Sequence, residues 1–273
     1  MEGQKTSKDI IPTYQQASSS SSPVQQQPVS IKLKQSTKEE QLPTQNCPPG
    51  LECLSELEKI MIHQKVQLLE VCLCIEKNNK YVLTNSLGEK IYKATENNCF
   101  CTRMILGYCR PFTIKICDLT NQEVITLERP LRCNWLCSHG CLQEIKICTP
   151  SGILIGYVSQ KRHAFLRKFT IQDEERKDIL RIVGPFFWCT CWRDIEYKIK
   201  SLDEKIVVGN ISKLFSGLIK GLCTDYSNYA IQFPSGLDVK MKALVIGACF
   251  LIDFMFYERC AIFKLCINRI LIS

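Results

Sequence analysis

Val239–Tyr257, VKMKALVIGACFLIDFMFY, limits what this chain can fold into more than any other stretch. It runs apolar without a break from Ala243 to Ile252, then resumes after Asp253 with Phe254, Met255, Phe256 and Tyr257. A helix here has no polar face, and Val239, Ala243, Gly247, Phe250, Asp253, Phe254 and Tyr257 are its candidate core or membrane positions. Such a helix is either wrapped in protein or placed in lipid. The unbroken run is ten residues long, against the ~20 that spanning a bilayer takes. Asp253 would cost roughly 2.5–3.5 kcal/mol near a bilayer centre. Lys240 and Lys242 before the run are matched by Arg259 and Lys264 after it, so charge assigns no orientation. Length and charge favour a buried central helix, with a membrane span as the alternative.

A central helix needs a wall around it, and the preceding chain supplies strands. Residues 1–46 are rich in Ser, Gln, Pro and Lys and hold too little apolar surface to offset ordering entropy, so a disordered tail is expected. Its prolines form no PxxP or PPxY ligand, so SH3 and WW partners are not expected. Order is predicted from Cys47 to Glu258. Leu51, Leu54, Leu57 and Ile60 stand at helical spacing. From Val66 the texture changes to β-rich runs, Val66–Glu76, Lys80–Asn85 and Glu89–Thr95, with turns at Asn78–Asn79 and Ser86–Gly88.

The middle of the chain contains a repeat. Pro111–Cys133 aligns with Lys168–Cys189: both read Phe-Thr-Ile, a polar turn, an apolar strand, Pro and Cys. Gln143–Ile147 and Gly156–Lys161 then match Ile195–Ile199 and Gly209–Lys213, at an offset of about 52–57 residues. A third, diverged copy is expected over Val66–Cys101. Three units of roughly four strands make about twelve, which need closure to hide their edges. A barrel of that width has room for one apolar helix. The predicted fold is therefore a closed antiparallel β-barrel around the C-terminal helix, followed by an apolar-basic tail at 259–273. That tail reads either as an interfacial amphipathic helix or as a packed end.

Eighteen cysteines, with a polar Met1–Ser22 in place of a secretory signal, point to reduced thiols. Glu2 excludes N-myristoylation, and the final Leu-Ile-Ser carries no prenylation box. The net charge of +8 favours anionic partners, membrane or nucleic acid. His63, His139 and His163 are scattered, and neither a phosphate loop nor paired carboxylates stand out. Asp173–Glu175 reads as a solvated hairpin tip. The chain is expected not to be an enzyme.

CPPGLECL, LERPLRC, CLQEIKI, IGYV, KSLDE, VVGNISK and IQFPSGLDVKMKALVIGACFLIDFMFYE together resemble phospholipid scramblases, from about Cys47 to Glu258. The resemblance implies a tubby-like barrel of about twelve strands around a hydrophobic helix. It also implies calcium-stimulated, ATP-independent movement of phospholipid between leaflets, at the cytoplasmic side of the plasma membrane. Nucleic-acid binding and a nuclear fraction are implied for members that lack palmitoylation.

Three motifs carry over residue by residue. The calcium segment resembles a loop with acids at its first, third and last positions, and matches Asp225–Gly236. Asp225 keeps the first acid, Ser227 stands at the third position and Gly236 at the last. Calcium takes about six to eight oxygens, so the loss of two carboxylates weakens the site. Tyr229, Ile231 and Phe233, the remaining candidates, also alternate as in a plain strand. The palmitoylation cluster matches Cys133, Cys137 and Cys141; one acyl chain anchors marginally and two anchor stably. Adding His139 makes a rival zinc set, which lacks the usual second knuckle. The nuclear import segment matches Gly209–Leu218, with Gly209, Lys213 and Leu218 kept and Asn210 where a basic residue is expected.

Two functions follow as expectations. One is a scramblase-like protein acting on anionic phospholipid membranes, with Asp253 and the flanking lysines offering headgroups a polar path if the helix inserts. The other is a non-transporting adaptor that binds lipid, protein or nucleic acid.

Overall fold

The computed structural model describes residues 48–65, 78–98, 102, 106, 110–132, 142–186, 194–214 and 227–257. Among them a short helix α1 (Glu52–Ser55) precedes twelve strands. The strands are β1 (Lys59–Lys65), β2 (Lys80–Thr84), β3 (Lys90–Asn97), β4 (Phe112–Cys117), β5 (Glu123–Arg129) and β6 (Glu144–Cys148). They continue as β7 (Leu154–Lys161), β8 (Leu166–Gln172), β9 (Asp178–Phe186), β10 (Ile195–Lys200), β11 (Val207–Lys213) and β12 (Asn228–Gln232). The helix α2 (Val239–Phe256) follows.

Alternation builds the wall. In β10, Ile195, Tyr197 and Ile199 are buried while Glu196 and Lys198 face solvent, the period of a half-buried strand. Each strand pairs antiparallel with its sequence neighbours, and β1 pairs with both β2 and β12, closing the barrel. The closing register sets Ile60 opposite Ile231 and Ile62 opposite Tyr229. Closure removes the unpaired edges that an open sheet would present.

The repeat falls where the sequence puts it. Its two copies are β4–β7 and β8–β11, each with Phe-Thr-Ile in its first strand. The remaining strands are β1–β3 and β12, so the third group is completed from the other end of the chain. That split is why no third copy reads as one continuous stretch. Two local expectations are corrected here. Ile60 belongs to β1 and not to a helical turn, and the first described strand begins at Lys59, before Val66. The helix at Leu51–Leu57 shrinks to one turn because Leu51 and Leu54 are fully buried while the chain must extend by Lys59 to pair with Gln232. Residues 66–76 lie outside the described residues, whereas β2 and β3 sit where strands were expected.

α2 occupies the lumen. Ala243, Leu244, Val245, Leu251, Ile252 and Phe254 have no exposed surface, and Val239, Phe250 and Tyr257 are buried as well. Tyr81 meets Phe250 edge-on with ring centroids 5.0 Å apart, and Phe112 lies 4.1 Å from Phe254. Fully burying side chains of this size contributes roughly 1.5–3 kcal/mol each. Gly247 permits the close approach to β6, since a Cβ there would stand 2.8 Å from Ile147 Cγ1. Asp238 caps the helix by accepting from the Lys240 N–H at 3.1 Å.

No helix among the described residues is long and apolar enough to cross a membrane. Of the two flanking lysines before the run, Lys242 is not free to line the expected polar path. Lys242 is buried and its ammonium donates to the carbonyls of Leu54, Ser55 and Leu57 at 2.8, 2.8 and 2.9 Å, tying α1 across that end of the barrel. All its protons are engaged, so nothing remains for a headgroup. Burial pulls the Lys242 pKa below the usual lysine value.

Candidate functional site

Buried polar groups gather where α2 ends, at the opposite end of the lumen from Lys242. Asp253 is 3% exposed, in the last turn of the helix. Its Oδ1 accepts from Ser227 Oγ at 2.6 Å and from the Tyr229 hydroxyl at 2.9 Å; its Oδ2 accepts from the Tyr81 hydroxyl at 3.1 Å. Tyr229 reaches in because β12 alternates, burying Ser227, Tyr229 and Ile231 and leaving Gln232 outside. Burial, and after it the charge of Asp253, pushes the Tyr229 phenol and the Cys249 thiol far above their usual ranges. Both stay protonated, Tyr229 as a donor and Cys249 as a small buried hydrophobe.

The network extends to two cations. Lys213 Nζ lies 3.4 Å from Ser227 Oγ and over the rings of Tyr229 and Tyr257, 5.1 and 4.8 Å from their centroids. Arg167 Nη1 donates to the hydroxyls of Tyr197 and Tyr257 at 3.1 and 2.9 Å, and those hydroxyls stand 3.0 Å apart. Its guanidinium lies 4.2 Å from the Phe256 ring centroid. Beside this network, Arg110 donates through Nε and Nη2 to Glu96 Oε1 at 3.0 and 2.9 Å, both residues being almost fully buried. Arg110 also covers Phe254 at 5.1 Å. A carboxylate is thus held by three hydroxyls and flanked by cations seated on aromatic faces. The histidines His63 and His163 lie outside it, and the arrangement fixes the rotation and depth of α2 rather than assembling a nucleophile and base.

Sequence-derived candidates from three motifs converge here. Ser227 and Tyr229 come from the calcium segment, Lys213 from the import segment, and Asp253 and Tyr257 from the helix. Of the other calcium candidates, Ile231 and Phe233 are core side chains and Asp225 lies outside the described residues. The described part of that segment offers no carboxylate cage, because the Ser227 hydroxyl is turned to Asp253. Among the described residues no group of three or more His, Cys, Asp and Glu side chains is placed to hold a metal ion. Gly209 sits in β11 where a Cβ would stand 2.5 Å from the Gln232 carbonyl oxygen, so strand packing alone accounts for it. Leu218, His139 and the cysteines Cys133, Cys137 and Cys141 lie outside the described residues, as do residues 1–47 and 258–273. Sequence reasoning missed Tyr81, Glu96, Arg110, Arg167 and Tyr197. Their available signal was polar or aromatic residues near strand ends, which read equally well as exterior.

A closed antiparallel barrel filled by its own C-terminal helix, locked by an internal carboxylate, defines the structural class. The chain belongs to the scramblase family, whose model, described as Scramblase, matches residues 37–259. It is 57% identical over 217 residues to Phospholipid scramblase 2 of Bos taurus, covering 80% of this chain and 74% of that protein. It is 56% identical over 216 residues to Phospholipid scramblase 1 of Homo sapiens, covering 79% and 68%. Phospholipid scramblase family member 5 of Homo sapiens is 47% identical over 218 residues, covering 80% of both chains. No solved structure matches the chain.

Proposed function

We propose that this protein is a membrane-associated phospholipid scramblase, which lets phospholipids move in both directions between leaflets without ATP. The observation that carries the reading is identity of 57% to a protein named phospholipid scramblase across 217 residues. No covalent step is required, so the protein acts as a translocator and not as an enzyme. Its place is the cytoplasmic side of the plasma membrane, with acylation at Cys137, Cys141 and Cys133 as a candidate anchor and a nuclear pool when unacylated. No step is assigned to calcium. The enclosure of α2 supports a second reading: a barrel with a filled lumen has no lipid path through its centre, which suits a non-transporting adaptor on lipid, protein or nucleic acid.

Reconstitution in liposomes carrying a fluorescent lipid decides between them. With an impermeant quencher outside, the expected result is quenching that exceeds the outer-leaflet fraction. Addition of millimolar calcium tests whether Asp225 alone confers a response. Quenching limited to the outer leaflet, with protein bound and vesicles intact, would replace the scramblase with the adaptor.

A further inference from the structure

The up-and-down order puts the last residues of odd strands and the first residues of even strands on one rim, the end where α2 finishes at Phe256. Lys65 closes β1, Lys80 opens β2, and the two face each other across the ladder, both exposed. An exposed Arg162 follows β7 on the same rim. None of these three cations has an ion-pair partner among the described residues. Like charges set opposite each other destabilise a sheet, and an anion seated beside Lys65 and Lys80 would relieve that repulsion.

Next to Arg162 is an aromatic pair. Phe165 and Phe186 are 58% and 52% exposed, yet their rings stack with centroids 5.7 Å apart and planes at 23°. The turn that presents them is fixed: His163 Nδ1 accepts from the Phe165 and Leu166 N–H groups at 3.2 and 3.0 Å, and Leu166 pairs in register with Phe186. Two large apolar rings are therefore held in water on a rigid mount. Phenylalanine has no polar tip to satisfy there, so the pair is suited to an apolar layer beneath an anionic surface. The opposite end is mixed in sign, with exposed Glu89, Glu174, Glu175 and Asp203 interleaved with exposed Lys90, Lys177 and Lys205, and it carries no stacked pair of exposed rings among the described residues.

We propose that the rim carrying Lys65, Lys80, Arg162, Phe165 and Phe186 is the face that docks on an anionic bilayer, with the stacked phenylalanines entering the headgroup–acyl boundary. α2 then stays in the lumen, its axis leading toward the membrane without crossing it. This deepens the membrane-association reading and rests on it.

The test is flotation of the full chain with vesicles of phosphatidylcholine alone or with added phosphatidylserine, in parallel with the quenching assay on the same preparations. Binding to the anionic vesicles is expected to fall about tenfold or more in the double variant Phe165→Ser/Phe186→Ser, as two buried rings are lost. Arg162→Glu is expected to weaken it about five- to tenfold on anionic vesicles and to leave neutral vesicles unaffected. Leu87→Ser/Leu119→Ser, at the opposite tips, is expected to bind as the parent does. All substitutions are on exposed side chains, and an unchanged thermal midpoint checks folding. Parent-like binding by the double phenylalanine variant and by Arg162→Glu, or loss of binding in the tip variant, overturns the docking face and leaves the scramblase reading intact. Failure of the parent to float overturns the docking face together with membrane association, whereas floating without scrambling overturns the scramblase reading alone. Displacement of the vesicles by single-stranded oligonucleotide at equal phosphate overturns the bilayer as the occupant in favour of nucleic acid.

Discussion

The two ends of the barrel are built by different means. At the tip end, the β2–β3, β4–β5, β6–β7, β8–β9 and β10–β11 connections repeat one device. The N–H of the fourth turn residue returns to the carbonyl of the first, as in Gly88 to Asn85 at 3.1 Å, Asn121 to Asp118 at 3.2 Å and Arg176 to Asp173 at 3.1 Å. A residue with positive φ sits at the fourth position: Gly88, Asn121, Gly152, Arg176 or Glu204. In several turns the first side chain also accepts backbone N–H groups, as Asp118 does from Thr120 and Gln122 at 2.8 Å. Within these turn bonds every partner lies within a few residues. At the rim end, Asp253 is bonded to Tyr81, 172 residues away in sequence, and Arg167 to Tyr257, 90 residues away. Locally coded turns and the single long-range tie of Lys242 to α1 close one end, and a buried long-range polar network holds the other. Damage should therefore be cheap at the tips and costly inside the rim.

The largest expected effect follows from Arg110→Ala, which removes the cation that faces the buried Glu96 carboxylate. Urea unfolding should register a loss of about 3–5 kcal/mol. A loss below about 1 kcal/mol would break the contrast outright. Asp253→Ala comes next. It leaves the hydroxyls of Ser227, Tyr229 and Tyr81 without their acceptor, and about 2–4 kcal/mol should be lost by the same measurement.

Glu144, which opens β6 on the rim side of the outer wall, sharpens the comparison through pH. Burial pushes its pKa up, but hydrogen bonds from Arg176 and Ser159 and the charge of Arg132 outweigh burial and hold it below the usual glutamate value. A depressed carboxylate contributes stability that is complete above the unfolded value, about 4.3, and is lost as pH falls through the folded one. The stability gap between the parent and Glu144→Gln should therefore narrow on going from about pH 6 to about pH 3. Depressed Asp118, Glu123, Asp203 and Glu204 are common to both chains and cancel in that gap. A gap independent of pH would remove Glu144 from the acid response. The smallest effect belongs to the tips: Leu119, 56% exposed, should tolerate Ser within about 0.5 kcal/mol in thermal melts.

The same division explains what the sequence discloses. Strand alternation, the Ser86–Gly88 turn, the Asp173–Glu175 tip and the doubled Phe-Thr-Ile unit are local patterns, and the fold follows from them. The apolar run at Ala243–Ile252 needs an enclosing wall, which is why the barrel core was legible as well. The Asp253 network was not. Ser227, Lys213 and Asp253 each fall in a different motif, and only strand register and helix rotation bring them within hydrogen-bonding reach. Arg110 and Glu96 were hidden more completely, since a charged residue near a strand end ordinarily reads as solvent-facing. Ser227 shows the risk of transferring a motif by position. It occupies the third place of a metal-loop pattern, yet its hydroxyl is directed inward to a helix that the pattern does not include.

The position of α2 after all twelve strands has a consequence for synthesis. A nascent chain emerges with its wall first and its core last. Until Val239 and the residues beyond it leave the ribosome, the inward faces of β1–β12 have no central partner. Exposed apolar faces and open strand edges are the features that promote misassembly during translation. A message truncated just before Val239 would therefore yield an aggregation-prone sheet and not a smaller working barrel, so α2 acts as the folding checkpoint for everything made before it.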